Sequence, residues 1–324
     1  MTAPETRGRV CTLCLMPNPR LLAFAQLMRF PNVFTAFADI ALATAVGVSV
    51  LPAIPWEFWA SACLLALASG CLYLAGMVWN DYFDRAEDAL ARPFRPIPSG
   101  RVRIRTAVIL GIVLFALGLF FAALAGLPGN QTWNHHPLVY AVAIVVAVLM
   151  YDGGLKLTVA GPVAMASCRF LNVLLGLSIV PDDSLSLELR LHLAGVVGVY
   201  IVGVTWFART EEGRSSSRYL LAAGGVILTS LVLALVLKAQ LPPGSGTIAF
   251  PYLLVLFGFR IGLPIARAVA SPGPREVQVA VKRCVLGLVF LDAVLATAFV
   301  GIPGLAILLL LPPALLIGKW VYST

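Results

Sequence analysis

Charge is scarce in this chain: 12% of its 324 residues are Asp, Glu, Lys or Arg, about half the share of an ordinary soluble domain. With 60% hydrophobic residues and a mean hydropathy of +0.94, too little polar surface remains to cover a water-soluble globule. The six cysteines are too sparse for a disulfide scaffold, and Cys11-x-x-Cys14 has the spacing of half a zinc site with no second pair to complete it. Histidine is rarer still; His135, His136 and His192 have no companion ligand near them and read as interfacial residues. No Gly-x-Gly-x-x-Gly or Walker sequence is present, which removes a nucleotide fold from consideration. What the chain has in abundance is long apolar runs. They are continuous rather than alternating, so they suit helices that cross a bilayer and not the strands of an outer-membrane barrel.

Divided at its charges and its Pro/Gly breaks, the chain offers apolar candidates at about 33–51, 57–79, 104–126, 137–151, 160–180, 191–208, 219–237, 250–270, 284–301 and 303–318. The last two are separated only by Ile302-Pro303-Gly304, so they form either a tight hairpin or one broken helix. The expected architecture is an all-α, polytopic membrane helical bundle of nine or ten transmembrane helices around a central cavity. A single domain of residues 1–324 is expected, with 1–28 as an N-terminal tail or amphipathic segment. Almost all Lys and Arg fall in the connections on the N-terminal side, while the opposite side has Arg190 and Lys238 only. That asymmetry places the N-terminus in the cytoplasm and implies a multi-pass protein of a bacterial-type inner (plasma) membrane, surrounded by membrane lipids. It also explains the net charge of +8 without nucleic acid as a partner. The first 30 residues hold several arginines and no compact apolar stretch before a small-residue cleavage site, so a cleaved signal peptide is not expected.

Polar chemistry gathers in the connection after the second span. If that helix continues, Asn80, Asp84 and Asp88 fall at i, i+4 and i+8, with Asp81 three residues before Asp84, so the oxygen side chains share one face. Like charges so close repel, and a hard divalent cation offsets the repulsion. Oxygen donors with no His or Cys nearby suit Mg²⁺, which completes its shell with water and substrate phosphate. An acidic cluster followed by Arg92, Arg95 and Arg101 therefore reads as a diphosphate site, where a merely solvated loop would not align its acids.

At these residues a resemblance becomes specific. Asn80-Asp81-Tyr82-Phe83-Asp84-Arg85-Ala86-Glu87-Asp88 and the run Arg92-Pro93-Phe94-Arg95-Pro96-Ile97-Pro98-Ser99-Gly100 resemble the NDxxDxxxD signature and RPxRPxxSG continuation of the UbiA superfamily of intramembrane prenyltransferases. The resemblance extends to the hydropathy profile over essentially the whole chain. It implies Mg²⁺-dependent transfer of an isoprenyl group from an isoprenyl diphosphate donor to an aromatic or lipid acceptor. Asn80, Asp84 and Asp88 would sit around Mg²⁺, with Asp81 on the same acidic face, and Arg92 and Arg95 beside the phosphates. Arg29 and Asn32, at the start of the first helix, would face the cavity. The loop Tyr151-Asp152-Gly153-Gly154-Leu155-Lys156-Leu157-Thr158 resembles the family's Tyr…Lys-x-Thr loop, whose Tyr and Lys help hold the diphosphate. Tyr151, Lys156, Asp84 and Asp88 are accordingly the expected catalytic set.

The loop after the sixth span departs from the family. Where a second aspartate pair is usual, Phe207-Ala208-Arg209-Thr210-Glu211-Glu212-Gly213-Arg214-Ser215 offers Glu211 and Ser215. Either Glu211 with Asp152 completes a modified metal site, or the chain is a non-catalytic polyprenyl- or lipid-binding or export component that keeps the fold. Arg209 in this loop is a further substrate-binding candidate. Within the spans, Arg169 and Asn172 are expected to point into the cavity beside the diphosphate end of the substrate, while Asp39, Arg260 and Asp292 are ambiguous, an Arg260–Asp292 pair between helices being one structural use for the last two. A secondary transporter is a weaker reading, because the two halves show no detectable repeat.

Overall fold

The computed structural model describes residues 19–127, 133–209, 215–241 and 247–321. A short helix α1 (Pro19–Leu27) lies before the first span. The chain then runs through α2 (Val33–Val50), α3 (Trp56–Phe83), the short α4 (Arg85–Ala91), α5 (Ile104–Ala125), α6 (His136–Asp152), α7 (Gly161–Leu177), α8 (Leu187–Ala208), α9 (Ser217–Gln240), α10 (Ala249–Ala270) and α11 (Pro274–Val300). A 3₁₀ stretch, Ile302–Leu310, leads into α12 (Leu311–Val321). Among the described residues there is no strand. Eight helical segments are long and apolar enough to cross a bilayer, the final one being Ile302–Val321 as a whole. The other two, α6 and α7, have 17 residues each, about 25 Å at 1.5 Å per residue, the lower limit for a crossing.

The choice between a tight hairpin and one broken helix is decided by the last pair. Gly301 turns the chain at φ 73°, a left-handed backbone that only glycine adopts without strain, so α11 ends there and the next segment runs back antiparallel to it. Pro312 and Pro313, at the start of α12, lack the N–H groups that would continue the preceding turns, which accounts for the change of helix type at Leu311. Val321 arrives beside α1, where its carbonyl accepts from Gln26 Nε2 at 3.0 Å. Both described ends therefore lie at one face of the bundle.

Two helices run further than their apolar cores predict. α3 continues to Phe83, and α11 begins at Pro274 rather than near 284, carrying Arg275, Lys282 and Arg283 on helix instead of loop. The extension of α11 keeps its inward face, since Val277, Ala280 and Cys284 are buried at helical spacing. One hydrophobic cluster joins α2, α7, α8 and α11, and another joins α3, α5 and α6. The cavity lies between them. On the face away from α1, the single arginine Arg190 is buried and donates to the carbonyls of Leu177, Val180, Pro181 and Leu185 at 2.6–3.1 Å. These bonds satisfy carbonyls at and just beyond the end of α7.

In a cysteine-free variant, thiols introduced as Arg101→Cys and Trp320→Cys will react with a membrane-impermeant reagent from one side of oriented vesicles, and Trp133→Cys from the other. Labelling of Trp320→Cys together with Trp133→Cys would mean an odd number of passes.

Candidate functional site

The motif face is built by backbone that the sequence bends in specific places. α3 ends with a kink at Asp84 (φ −82°, ψ −2°), after which α4 continues with its own axis. The four acids consequently do not lie on one uninterrupted stripe. Asp84 turns toward the loop after α6, where its carboxylate is ion-paired with Lys156, and Lys156 also lies 3.7 Å from Asp152. Asp88 is 2% exposed and turns the other way, accepting from Arg95 Nη1 at 2.7 Å with Arg92 at 3.5 Å. Prolines 93, 96 and 98 keep the following segment out of helix, and it folds back so that Arg95 also reaches Asp81 at 3.4 Å. Arg101 fastens this loop to Phe94 O and to Gln26 of α1.

Arg29 holds the centre. It is the one described non-glycine residue with positive φ (44°), a conformation that costs about 1 kcal/mol or more and that the surrounding contacts maintain. Its guanidinium donates to Asn80 Oδ1 at 3.1 Å and Asp81 Oδ1 at 3.2 Å. The Asn80 amide in turn donates to Asp152 Oδ1 at 2.8 Å. Arg29, Arg92, Arg95 and Lys156 thus balance Asp81, Asp84, Asp88 and Asp152 one for one.

Two connected spaces open here. A polar chamber of about 400 Å³ is bounded by Arg29, Asn80, Asp84, Arg92, Arg95, Tyr151, Lys156 and Gln278. Beneath it a cavity of about 330 Å³ runs between the two core clusters, with walls such as Leu72, Ile144, Val148, Val285 and Leu288. Arg29, Asn80 and Tyr151 border both spaces, so they mark the plane where charge gives way to hydrocarbon. Asn32 and Asp152 line the cavity, as the resemblance implies for Asn32. Gln278 went unnoticed in the sequence because it sits on the part of α11 that hydropathy assigns to a loop.

Other expected residues take different places. Arg209 does not border the chamber: its guanidinium donates to the carbonyls of Lys156 and Thr158 and so anchors the loop that carries Lys156. Gly161 makes room for this, since a Cβ there would lie 2.5 Å from the Arg209 guanidinium. Arg169 and Asn172 do reach the cavity, but their partners are deep rather than at the mouth. Arg169 bonds Asp39 at 3.1 Å and Thr35, and Asn172 donates to Asp39 at 2.7 Å and accepts from Ser69 at 2.7 Å. An Arg260–Asp292 pair does not form. Arg260 lies 4.0 Å over the Phe290 ring, and Phe290 and Asp292 are about 200° apart around α11, so Asp292 faces inward toward α2. Glu211 and Cys11-x-x-Cys14 lie outside the described residues.

For Mg²⁺, the donors bordering the chamber are oxygens of Asn80 and Asp84. No three Asp, Glu, His or Cys among the described residues converge into a cage of their own. This fits an ion that keeps waters and takes much of its shell from substrate phosphate, in a chamber whose remaining walls are phosphate-binding cations.

Residues 33–271 match the model of the UbiA prenyltransferase family. The chain is 32% identical over 139 residues to a digeranylgeranylglyceryl phosphate synthase of Saccharolobus solfataricus, covering 43% of this chain and 44% of that protein. It is 32% identical over 146 residues to the enzyme of the same name from Methanothrix thermoacetophila, covering 45% and 50%. The matches thus span half or less of those curated relatives. Among solved structures, a digeranylgeranylglyceryl phosphate synthase aligns with TM-score 0.60 at 16% identity over 87% of this chain and 99% of that one. A UbiA homolog from Archaeoglobus fulgidus bound to GPP and Mg²⁺ aligns with TM-score 0.57 at 14% identity, covering 82% and 99%. At these identities the structures establish the shared fold.

The two aspartates of the motif will separate by their surroundings. Asp88→Ala leaves Arg95 and Arg92 without their buried partner and will lower stability by about 1–3 kcal/mol, whereas Asp84→Ala, at a pair that keeps some contact with solvent, will cost about 1 kcal/mol or less. Thermal melting of the detergent-purified variants measures both; equal losses would contradict the placement of Asp88 under the arginines.

Proposed function

The chain belongs to the UbiA prenyltransferase family, and from that premise we propose that it transfers an isoprenyl group from an isoprenyl diphosphate to a lipid or aromatic acceptor inside the membrane. The observation that carries this reading is the border formed by Arg29, Asn80 and Tyr151 between a charged chamber and an apolar cavity. An isoprenyl diphosphate has the same division, a polyanionic head joined to a hydrocarbon tail. Placed across that border, its scissile C–O bond lies beside Tyr151 while the tail replaces water in the cavity.

Arg29, Arg92, Arg95 and Lys156 would hold the diphosphate oxygens. Lys156 now rests on Asp84, so binding exchanges one anionic partner of Lys156 for another, while Arg29, Arg92 and Arg95 keep their carboxylates and turn remaining donors to the phosphates. Asn80 and Asp84 would hold Mg²⁺, with Asp81 and Asp88 behind them keeping Arg29 and Arg95 in place, and Glu211 remains a candidate for a second metal position. Mg²⁺, when bound, neutralises charge that develops on the leaving diphosphate. The apolar wall excludes water from the carbocation left behind, and the Tyr151 ring offers a π face to it. No side-chain nucleophile is needed. Of the two acceptor classes we favour a lipid, on the names of the curated relatives, and we place the bundle in a bacterial-type inner (plasma) membrane with the chamber on the cytoplasmic side, on its arginine asymmetry.

Purified protein in nanodiscs, given geranylgeranyl diphosphate, geranylgeranylglyceryl phosphate and Mg²⁺, will release diphosphate. Chelation will stop the release, and Asp84→Asn will reduce it by about 10²-fold or more, the scale of a lost transition-state charge contact. Tight donor binding with no diphosphate released for any lipid or aromatic acceptor would instead favour the non-catalytic carrier.

A further inference from the structure

The chemistry at the mouth uses neither of the two acids buried deepest in the bundle. Asp39 on α2 and Asp292 on α11 are both 0% exposed, and their carboxyl groups face each other within hydrogen-bonding reach. Asp39 Oδ2 accepts from Arg169 and Asn172. Asp39 Oδ1 and both oxygens of Asp292 have no donor. Two carboxylates would carry two negative charges against the single guanidinium of Arg169. The other groups packed around the pair supply no second cation: α3 contributes Ser69, which donates to Asn172, and α8 contributes Tyr200, whose hydroxyl donates to Cys284 O at 2.7 Å. An uncompensated anion surrounded by hydrocarbon is prohibitively costly, and two facing carboxyls can bond to each other only through a proton.

We infer that Asp39 and Asp292 share one proton, with Asp292 as the carboxylic acid donating to Asp39 Oδ1, and that this pair is the fixed counter-ion that positions Arg169 in the cavity wall. The shared proton satisfies Asp39 Oδ1, makes the Asp39–Asp292–Arg169 group neutral overall, and leaves Asp39 Oδ2 for Arg169 and Asn172. Asp292 touches no substrate and acts through Asp39, as a positioning residue. Arg169 is therefore not a free cation waiting for a diphosphate, the role its sequence position suggests; it is a charge-matched donor held about two helical turns below Asn32, on the side of the cavity formed by α2 and α7. The significance of that placement for substrate rests on the proposed prenyl transfer. The shared proton itself does not.

Infrared spectra of the protein in nanodiscs decide the matter without turnover. The wild type will show a protonated-carboxyl carbonyl band that shifts in D₂O and is lost in both Asp292→Asn and Asp39→Asn. Melting supplies a second reading. Asp292→Asn keeps a donor toward Asp39 and will melt within a few degrees of wild type, whereas Asp292→Leu, of similar bulk but unable to donate, will melt far lower and restore nothing at Asp39. Absence of the band, its persistence in Asp292→Asn, or equal melting losses for the Asn and Leu variants would overturn the inference. Wild-type protein that shows the band and catalyses no transfer would count against the proposed function alone.

Discussion

The arrangement of Arg29 between Asn80 and Asp81 is the contact on which the rest of the site depends. It ties the turn before α2 to the end of α3, and through the Asn80 amide to Asp152 at the end of α6. Helices that cross a membrane have no hydrophobic force drawing their polar ends together, so their relative depth must be fixed by directed bonds and close packing. Here three helix ends are brought to one plane by a single guanidinium and a single amide. The left-handed backbone at Arg29 is the local strain that this convergence requires, and the packing of α12 and α1 around the same turn keeps it from relaxing.

From that plane outward the logic is charge compensation. Each carboxylate at the mouth already has a cationic partner, and the cations are held by short loops rather than by the membrane-spanning helices. Lys156 sits on a loop anchored by Arg209, and Arg92 and Arg95 sit on a proline-rich loop anchored by Arg101. A chamber of balanced charge has no unpaired cation to neutralise, and a polyanion that arrives with a divalent cation can take over both halves of the Lys156–Asp84 pair, the one whose acid borders the chamber. A chamber lined by cations alone would bind a diphosphate more tightly and release it less readily.

Much of this was legible in the residues. The runs of apolar sequence located the long apolar helices, because continuous hydrophobicity over most of a helix this long has few other uses, and the Asn80-to-Asp88 spacing pointed to the polar chamber. The helix ends were less legible: α11 starts about ten residues early because its amphipathic extension is too charged to read as a span, and Gln278 was lost with it. The kink at Asp84 was also invisible, since i, i+4, i+8 spacing promises a common face only while one helix axis is kept. Asp88 consequently supports the arginines from behind. The depth of Asp39 and Asp292 could be suspected from their isolation in apolar sequence, but their partners could not, because pairing across α2 and α11 joins positions some 250 residues apart in the chain and depends on which way each helix is rotated.

Those deep acids bear on why an enzyme of this architecture tolerates polar groups inside its tail cavity at all. A cavity walled entirely by hydrocarbon would collapse or fill with lipid, since nothing would hold α2, α7 and α11 at a fixed separation against their own apolar attraction. Arg169 reaching Asp39 and Thr35, and Asn172 bridging Ser69 to Asp39, tie α2, α7 and α3 together beside the cavity, with Asp292 of α11 buried against them. Because hydrogen bonds are directional as well as fixed in length, these bonds hold the three helices in one relative orientation beside the cavity. Under the proposed function, the polar mouth would hold the diphosphate head and the buried group would keep room beneath it for a tail.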